Sequence, residues 1–167
     1  MCGTADWAWK TFTRGMQPLY MDPYDGTFFN IGGTINNAQY IALRRAMGHT
    51  LSYANRMDMQ KAVPNMTLCS TTFCLVNTAS TTNDEYFVYA PNGGNFTVDL
   101  SNTTGGTVSS EWFNATTFAA TSAANVTGGN TTTFTPPFSG AAVLYLKQII
   151  TDTENPQVTI TAPTDGA

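Results

Sequence analysis

The stretch at residues 85–100, EYFVYAPNGGNFTVDL, decides the fold. Residues 85–90 form a run of aromatic and β-branched side chains of the kind that sits well on a pleated sheet. Pro91, Asn92, Gly93 and Gly94 follow, a turn cluster that accepts positive φ. Beyond it Phe96, Val98 and Leu100 alternate with Asn95, Thr97 and Asp99, the two-residue period of a strand buried on one face. Working outward, the same signature predicts strands at 67–69, 73–77, 108–114, 131–135 and 142–147, with shorter runs at 116–118 and 124–127. Seven or more short strands separated by Gly, Asn, Thr and Pro predict a sandwich of two antiparallel sheets.

Composition agrees. The chain has 167 residues, room for about one domain with a real core. Hydrophobic residues make up 42% and charged residues only 11%, which excludes a highly charged disordered tail. The 29 Thr and 14 Asn fill about a quarter of the sequence and favour strands and turns respectively.

The first 58 residues read differently. Residues 6–14, DWAWKTFTR, place Trp7, Ala8 and Phe12 near helical spacing, with Thr4 as N-cap and Gly15 as the stop. The brief run 17–21, QPLYM, ends at Asp22-Pro23 as a buried strand would. A Gly-rich loop then leads to a second helix capped by Asn36 or Asn37, with Tyr40, Leu43, Met47, Leu51 and Ala54 near one face and Gly48 weakening its middle. At the other end, residues 151–167 are polar and Pro-punctuated, yet 157–161 alternates like the first strand of a further domain.

Several function classes drop out. Net charge is -4, and the seven basic residues cluster only at Arg44-Arg45, so nucleic acid is not an expected partner. No run approaches the roughly 18 apolar residues of a membrane span, and the start MCGTADWAWK has no basic n-region or apolar h-region. An exported protein would carry its signal elsewhere, with Met1 an internal methionine of a longer chain. Cys2, Cys69 and Cys74 have neither the spacing nor a neighbouring His for zinc, so no metal is expected, and no cofactor motif is present. Cys69 and Cys74 flank a turn and read either as a disulfide across it or as two buried thiols. Six Asn-x-Ser/Thr sequons point weakly to surface exposure, because a chain this rich in Asn and Thr forms many by chance.

No nucleophile motif or phosphate loop appears, and the lone His49 reads as a packed or solvated helix residue. The expected catalytic set in this chain is empty. Asp22 and Asp25 follow the run 17–21, where the C-terminal end of a barrel strand would place them beside a cleft. Asp99 and Glu111 fall on strands, with nothing local to bring them to the separation that a glycosidase carboxylate pair needs. Trp112 and Phe113 are adjacent on a strand, so one is expected inside and one outside; an outward Trp112 would stack on a sugar or cover a neighbouring domain.

Taken as strings, WAWKTFTRGMQPLYMDPYDG, RRAMGHTLSYANRMD, EYFVYAPNGGNFTVDLS, EWFNATT and FTPPFSGAAVLYLK resemble the C-terminal region of secreted bacterial glycoside-hydrolase-like proteins. Their last domain carries the label "putative collagen-binding domain of a collagenase". The resemblance implies a (β/α)-barrel domain followed by a compact β-sandwich. It divides this chain into residues 1–58 as a helix-strand-helix remnant of the barrel, 59–148 as the sandwich, and 149–167 as a linker and the start of a further domain. The barrel's catalytic carboxylates would lie upstream, leaving Asp22, Tyr24 and Asp25 as matches to the rim of its site. The segment WFNATT departs from the relatives' Trp-Phe-Asn-Pro turn.

The resulting expectation is a mainly β protein, an antiparallel β-sandwich preceded by a small barrel remnant. It would act as a non-catalytic accessory module of a secreted, extracellular parent enzyme, packing on the barrel and contacting polysaccharide or matrix protein. Its alternatives are a free-standing carbohydrate- or collagen-binding module, with Trp112 as the gripping residue, and a structural or adhesive domain of a surface protein.

Overall fold

In the computed structural model, which describes residues 3–21, 38–79, 83–103 and 105–149, two helices precede eight strands. The helices are α1 (Ala5–Thr13) and α2 (Ala38–Ala54). The strands are β1 (Val63–Pro64), β2 (Cys74–Asn77), β3 (Glu85–Ala90), β4 (Phe96–Asp99), β5 (Thr107–Asn114), β6 (Ala119–Thr127), β7 (Thr131–Phe134) and β8 (Ala142–Ile149). Six of them form an antiparallel sheet in the order β1-β2-β3-β8-β5-β6, and β4 pairs with β7 in a second, two-stranded sheet. The protein is mainly β, with the two sheets packed as a sandwich around one core.

That core collects alternate residues from both sheets. Val76, Tyr86, Val88, Trp112, Leu144 and Leu146 from the large sheet meet Phe96, Val98 and Phe134 from the small one. The other face of the large sheet is covered too: Leu75, Phe87, Tyr89, Phe113, Val143 and Tyr145 lie beneath Trp9, Phe12, Leu43 and Tyr53 of the helices. Thus α1 and α2 add a third layer. This is why EYFVYA and AVLYL are nearly unbroken apolar runs rather than alternating ones, since strands covered on both faces need no polar side.

The helix layer is set by local chemistry at its start. Thr4 Oγ1 accepts the Trp7 N–H at 3.0 Å, and Gly15, at φ +71°, ends α1 by donating to the Phe12 carbonyl at 2.9 Å. Between the sheets, Gly93 at φ +62° allows the β3–β4 turn to touch Gly140, whose carbonyl oxygen a Cβ would overlap.

Several expectations need correction. Trp112 is only 5% exposed, standing edge-on to Phe96, Phe134 and Phe138 inside the sandwich, and Phe113 is 3% exposed beneath the helices. Both neighbours are buried because the sheet has a layer on each side, so Trp112 offers no outward platform. Residues 17–21 are not a strand, because no described strand lies beside them to pair with. Residues 67–69 contribute one isolated bridge, Cys69 to Val98, and 116–118 form the turn into β6.

The buried face of α2 is Leu43, Ala46, Thr50 and Tyr53, one step round from the aliphatic stripe, and Leu51 is 62% exposed. The aromatic surface beneath leaves space for small residues. Across Gly48 the helix is unbroken. Cys69 and Cys74 are free, buried thiols. Asn36, Asn37, Cys2 and the 157–161 run lie outside the described residues.

Candidate functional site

Strand register brings two carboxylates onto the helix-covered face of the large sheet. Glu85 opposes Lys147 across β3 and β8, while Glu111 opposes Tyr145 across β5 and β8. Nearer the middle of the helix layer this face is aromatic, with Trp9 stacked on Phe87 and Tyr89 and tilted against Phe113. Where α2 ends, water reaches the sheet and the face turns polar. A cleft of about 380 Å³ opens there, lined by Arg56, Ser109, Glu111, Ser122, Tyr145 and Lys147.

Both carboxylates of this cluster are fully engaged. Glu111 takes the Arg56 guanidinium in two bonds, at 2.8 and 3.1 Å, and the Tyr53 hydroxyl at 2.8 Å. Glu85, 1% exposed, accepts from the Tyr145 hydroxyl (2.7 Å), the Asp58 N–H (3.0 Å), Lys147 Nζ (3.1 Å) and Asn77 Nδ2 (3.3 Å). The Arg56 guanidinium lies over the rings of Tyr53 and Tyr145, 4.9 and 4.6 Å from their centroids.

Burial works against the charge on Glu85, but these donors outweigh it and hold its carboxyl below the ordinary range. The same contest, decided by Arg56 and Tyr53, lowers Glu111. Burial, followed by the hydrogen bond to its carboxylate, pushes the Tyr53 and Tyr145 hydroxyls up. Two saturated carboxylates of lowered pKa are poor general acids at neutral pH. What this arrangement does well is fasten the end of α2 to the sheet.

A second feature lies on the far side of the helices. Phe12, Met16, Pro18, Met47, Leu51 and Met59 line an apolar groove of about 630 Å³. Beside it Leu19 and Met21 are 84% and 78% exposed.

Among the expected site residues, Asp22, Tyr24 and Asp25 lie outside the described residues, and Trp112 sits in the sandwich core, away from both features. Asp99 points away from the core, its carboxylate engaged by Ser101. His49 stacks on Phe118, its pKa lowered by burial and by Arg45. Among the described residues no three His, Cys, Asp or Glu side chains are placed to hold a metal, and no helix is long and apolar enough to cross a membrane. The strand-based reading missed Glu85. The signal available was the acidic pair Asp84-Glu85 opening an otherwise apolar run.

Residues 75–144, from β2 into β8, match the family model described as "Putative collagen-binding domain of a collagenase". No curated protein matches the chain. A structure titled "Glycoside hydrolase" is similar over 73% of this chain and 27% of its own, with TM-score 0.50 and 11% identity. A glycoside hydrolase family 5 structure from Bacteroides vulgatus is similar over the same shares, with TM-score 0.53 and 12% identity. At such identities the likeness is one of fold. The chain spans about a quarter of the length of these two proteins, 27% of each. Both findings agree with the resemblance read from the sequence strings.

Proposed function

We propose that this chain is the non-catalytic C-terminal accessory region of an exported glycoside-hydrolase-like protein. In this reading residues 1–58 are the closing helix, strand and helix of a (β/α) barrel, residues 59–148 are the sandwich that braces it, and residues 149–167 lead toward a further domain. The observation that carries the reading is the segment 17–21. It has no strand partner among the described residues, and it exposes Leu19 and Met21 next to an apolar groove. A barrel whose final strand is 17–21 would supply both the missing ladder and the cover for the groove. Asp22, Tyr24 and Asp25 would then stand at the strand's C-terminal end, on the rim of the parent's site.

The test is hydrolysis and stability together. The purified chain should cleave no glycoside; turnover of any would overturn the reading. In the complete parent protein, Leu19→Asp should lower the melting temperature of the hydrolase portion. An unchanged melting temperature there would also count against it.

The family match favours a second reading, in which the sandwich itself contacts matrix protein or glycan. The outward face of the β4–β7 sheet carries Thr97, Thr131 and Thr133 together with the Asp99 carboxylate, a polar surface suited to such a partner. Saturable binding of the isolated chain to collagen or to a polysaccharide would support this role. Absence of binding to both would remove it and leave the bracing role untouched.

A further inference from the structure

Cys69 and Cys74 end a six-residue segment that passes from one sheet to the other. Cys69 bridges Val98 of β4 in the small sheet, while Cys74 opens β2 and pairs with Val88 of β3 in the large one. A tight turn closes the segment: Thr72, at φ +63°, donates its N–H to the Cys69 carbonyl at 3.1 Å. Both free thiols are buried in the same core cluster between the sheets, close enough that each is the first influence on the other's acidity.

The surroundings of the two sulfurs differ. Thr71 Oγ1 lies 3.3 Å from Cys69 Sγ, and the backbone N–H groups of Thr72 and Phe73, which donate to the Cys69 carbonyl and to Thr71 Oγ1, lie close by. The contact with Cys74, helped by these donors, brings the Cys69 thiol down to about 7 despite its burial. The contact with Cys69 and burial together push the Cys74 thiol up. Cys69, in the turn beside exposed Ser70, is the sulfur an oxidant meets first, and Cys74, within β2, is placed to follow.

We propose that Cys69 and Cys74 form a reversible disulfide in the folded protein, closed by a small disulfide oxidant such as oxidised glutathione, and that this bond staples the small sheet to the large one. The Cys69 thiolate attacks one glutathione sulfur, forming a mixed disulfide and expelling a glutathione thiolate. Cys74 then loses its proton and attacks Cys69 Sγ, expelling the second glutathione. Two protein thiols are oxidised by two electrons, and one glutathione disulfide is reduced to two thiols. Ser70 and Thr72 are exposed, so the turn can open to the oxidant without unfolding β2.

The test uses the wild-type chain, equilibrated across mixtures of reduced and oxidised glutathione, quenched with iodoacetamide in denaturant and digested with trypsin. Cleavage at Lys61 and Lys147 leaves Cys69 and Cys74 together in peptide 62–147, separate from Cys2. At the oxidising end this peptide should be unalkylated and about 2 Da lighter than the dithiol. The oxidised protein should melt roughly 5 °C higher than the reduced one, a shift that Cys74→Ser abolishes. A doubly alkylated peptide, or a glutathione adduct that persists on Cys69, would overturn the disulfide. An unchanged melting temperature in the oxidised wild type would overturn the staple. Should Cys74→Ser fail to fold, the wild-type peptide mass and melting shift still decide.

Discussion

Arg56 and Glu111 form a two-pronged ion pair, with N–O distances of 2.8 and 3.1 Å, that ties the chain just beyond α2 to the middle of β5. Their side chains are 42% and 29% exposed, so solvent screens the charge and the pair contributes modestly. Arg56→Ala should cost about 1 kcal/mol, and less in high salt. Glu111→Ala should cost more, about 2 kcal/mol, because the buried Tyr53 hydroxyl loses its partner as well. Urea unfolding of the two variants measures both values. Equal losses would mean that Tyr53 is not held by this carboxylate.

Trp9 tests whether the helices belong to the same cooperative unit as the sheets. It is fully buried and touches Tyr53, Phe87, Tyr89 and Phe113. Trp9→Ala should cost about 3–5 kcal/mol and lower the single unfolding midpoint of the whole chain. Two separate transitions in the variant, with the sheet melting as in wild type, would show that the helix layer folds apart from the sandwich.

These two contacts also show how far the sequence could be read. The strands at 85–90, 108–114 and 142–147, and the Thr4 and Gly15 ends of α1, follow from local chemistry, and the structure has them within a few residues. Trp112 and the face of α2 do not follow, because each depends on a layer contributed by distant chain. A period of two separates Trp112 from Phe113 but cannot reveal that both sides of the sheet are covered. The clue was the near-continuous apolar run at 85–90, which a sheet wet on one face would not carry. The helix shows the same limit. A stripe of Leu and Met is the natural choice for burial, yet aromatic rings on the sheet leave room for Ala46 and Thr50 instead. Glu85 was missed because its partners, Asp58, Asn77, Tyr145 and Lys147, converge only in the fold.

Glu85 and Asp84 should move stability with pH in opposite directions. The folded-state pKa of Glu85 is lowered, so its contribution is complete above the unfolded value of about 4.3 and fades as pH falls below it. Glu85→Gln should therefore cost about 2–3 kcal/mol at neutral pH, with the gap to wild type closing in acid. Asp84 is fully buried, its carboxylate oxygens have no hydrogen-bond partner, and burial raises its pKa. Ionising it costs stability as pH rises above the unfolded value of about 3.9, so Asp84→Asn should gain on wild type over that rise. Urea midpoints from neutral pH down to about pH 3 separate the two signs, and parallel curves for both variants would refute the assignment.

Leu43 and Leu51 lie about 80° apart around α2, Leu43 against the sheet and Leu51 at the outer groove, and this fixes what each does to the isolated chain. Leu43 is fully buried against the sheet, so Leu43→Ala should cost about 2–5 kcal/mol. Leu51 lines the outer groove at 62% exposure, so Leu51→Glu should change stability by less than about 0.5 kcal/mol. The same Leu51→Glu change in the complete parent protein puts a charge where the groove would be covered, and there it should be destabilising. Thermal melts of both variants in both contexts give the comparison. A Leu51→Glu chain that is neutral alone and equally neutral in the parent would mean that the groove faces solvent, and the bracing role would lose its support.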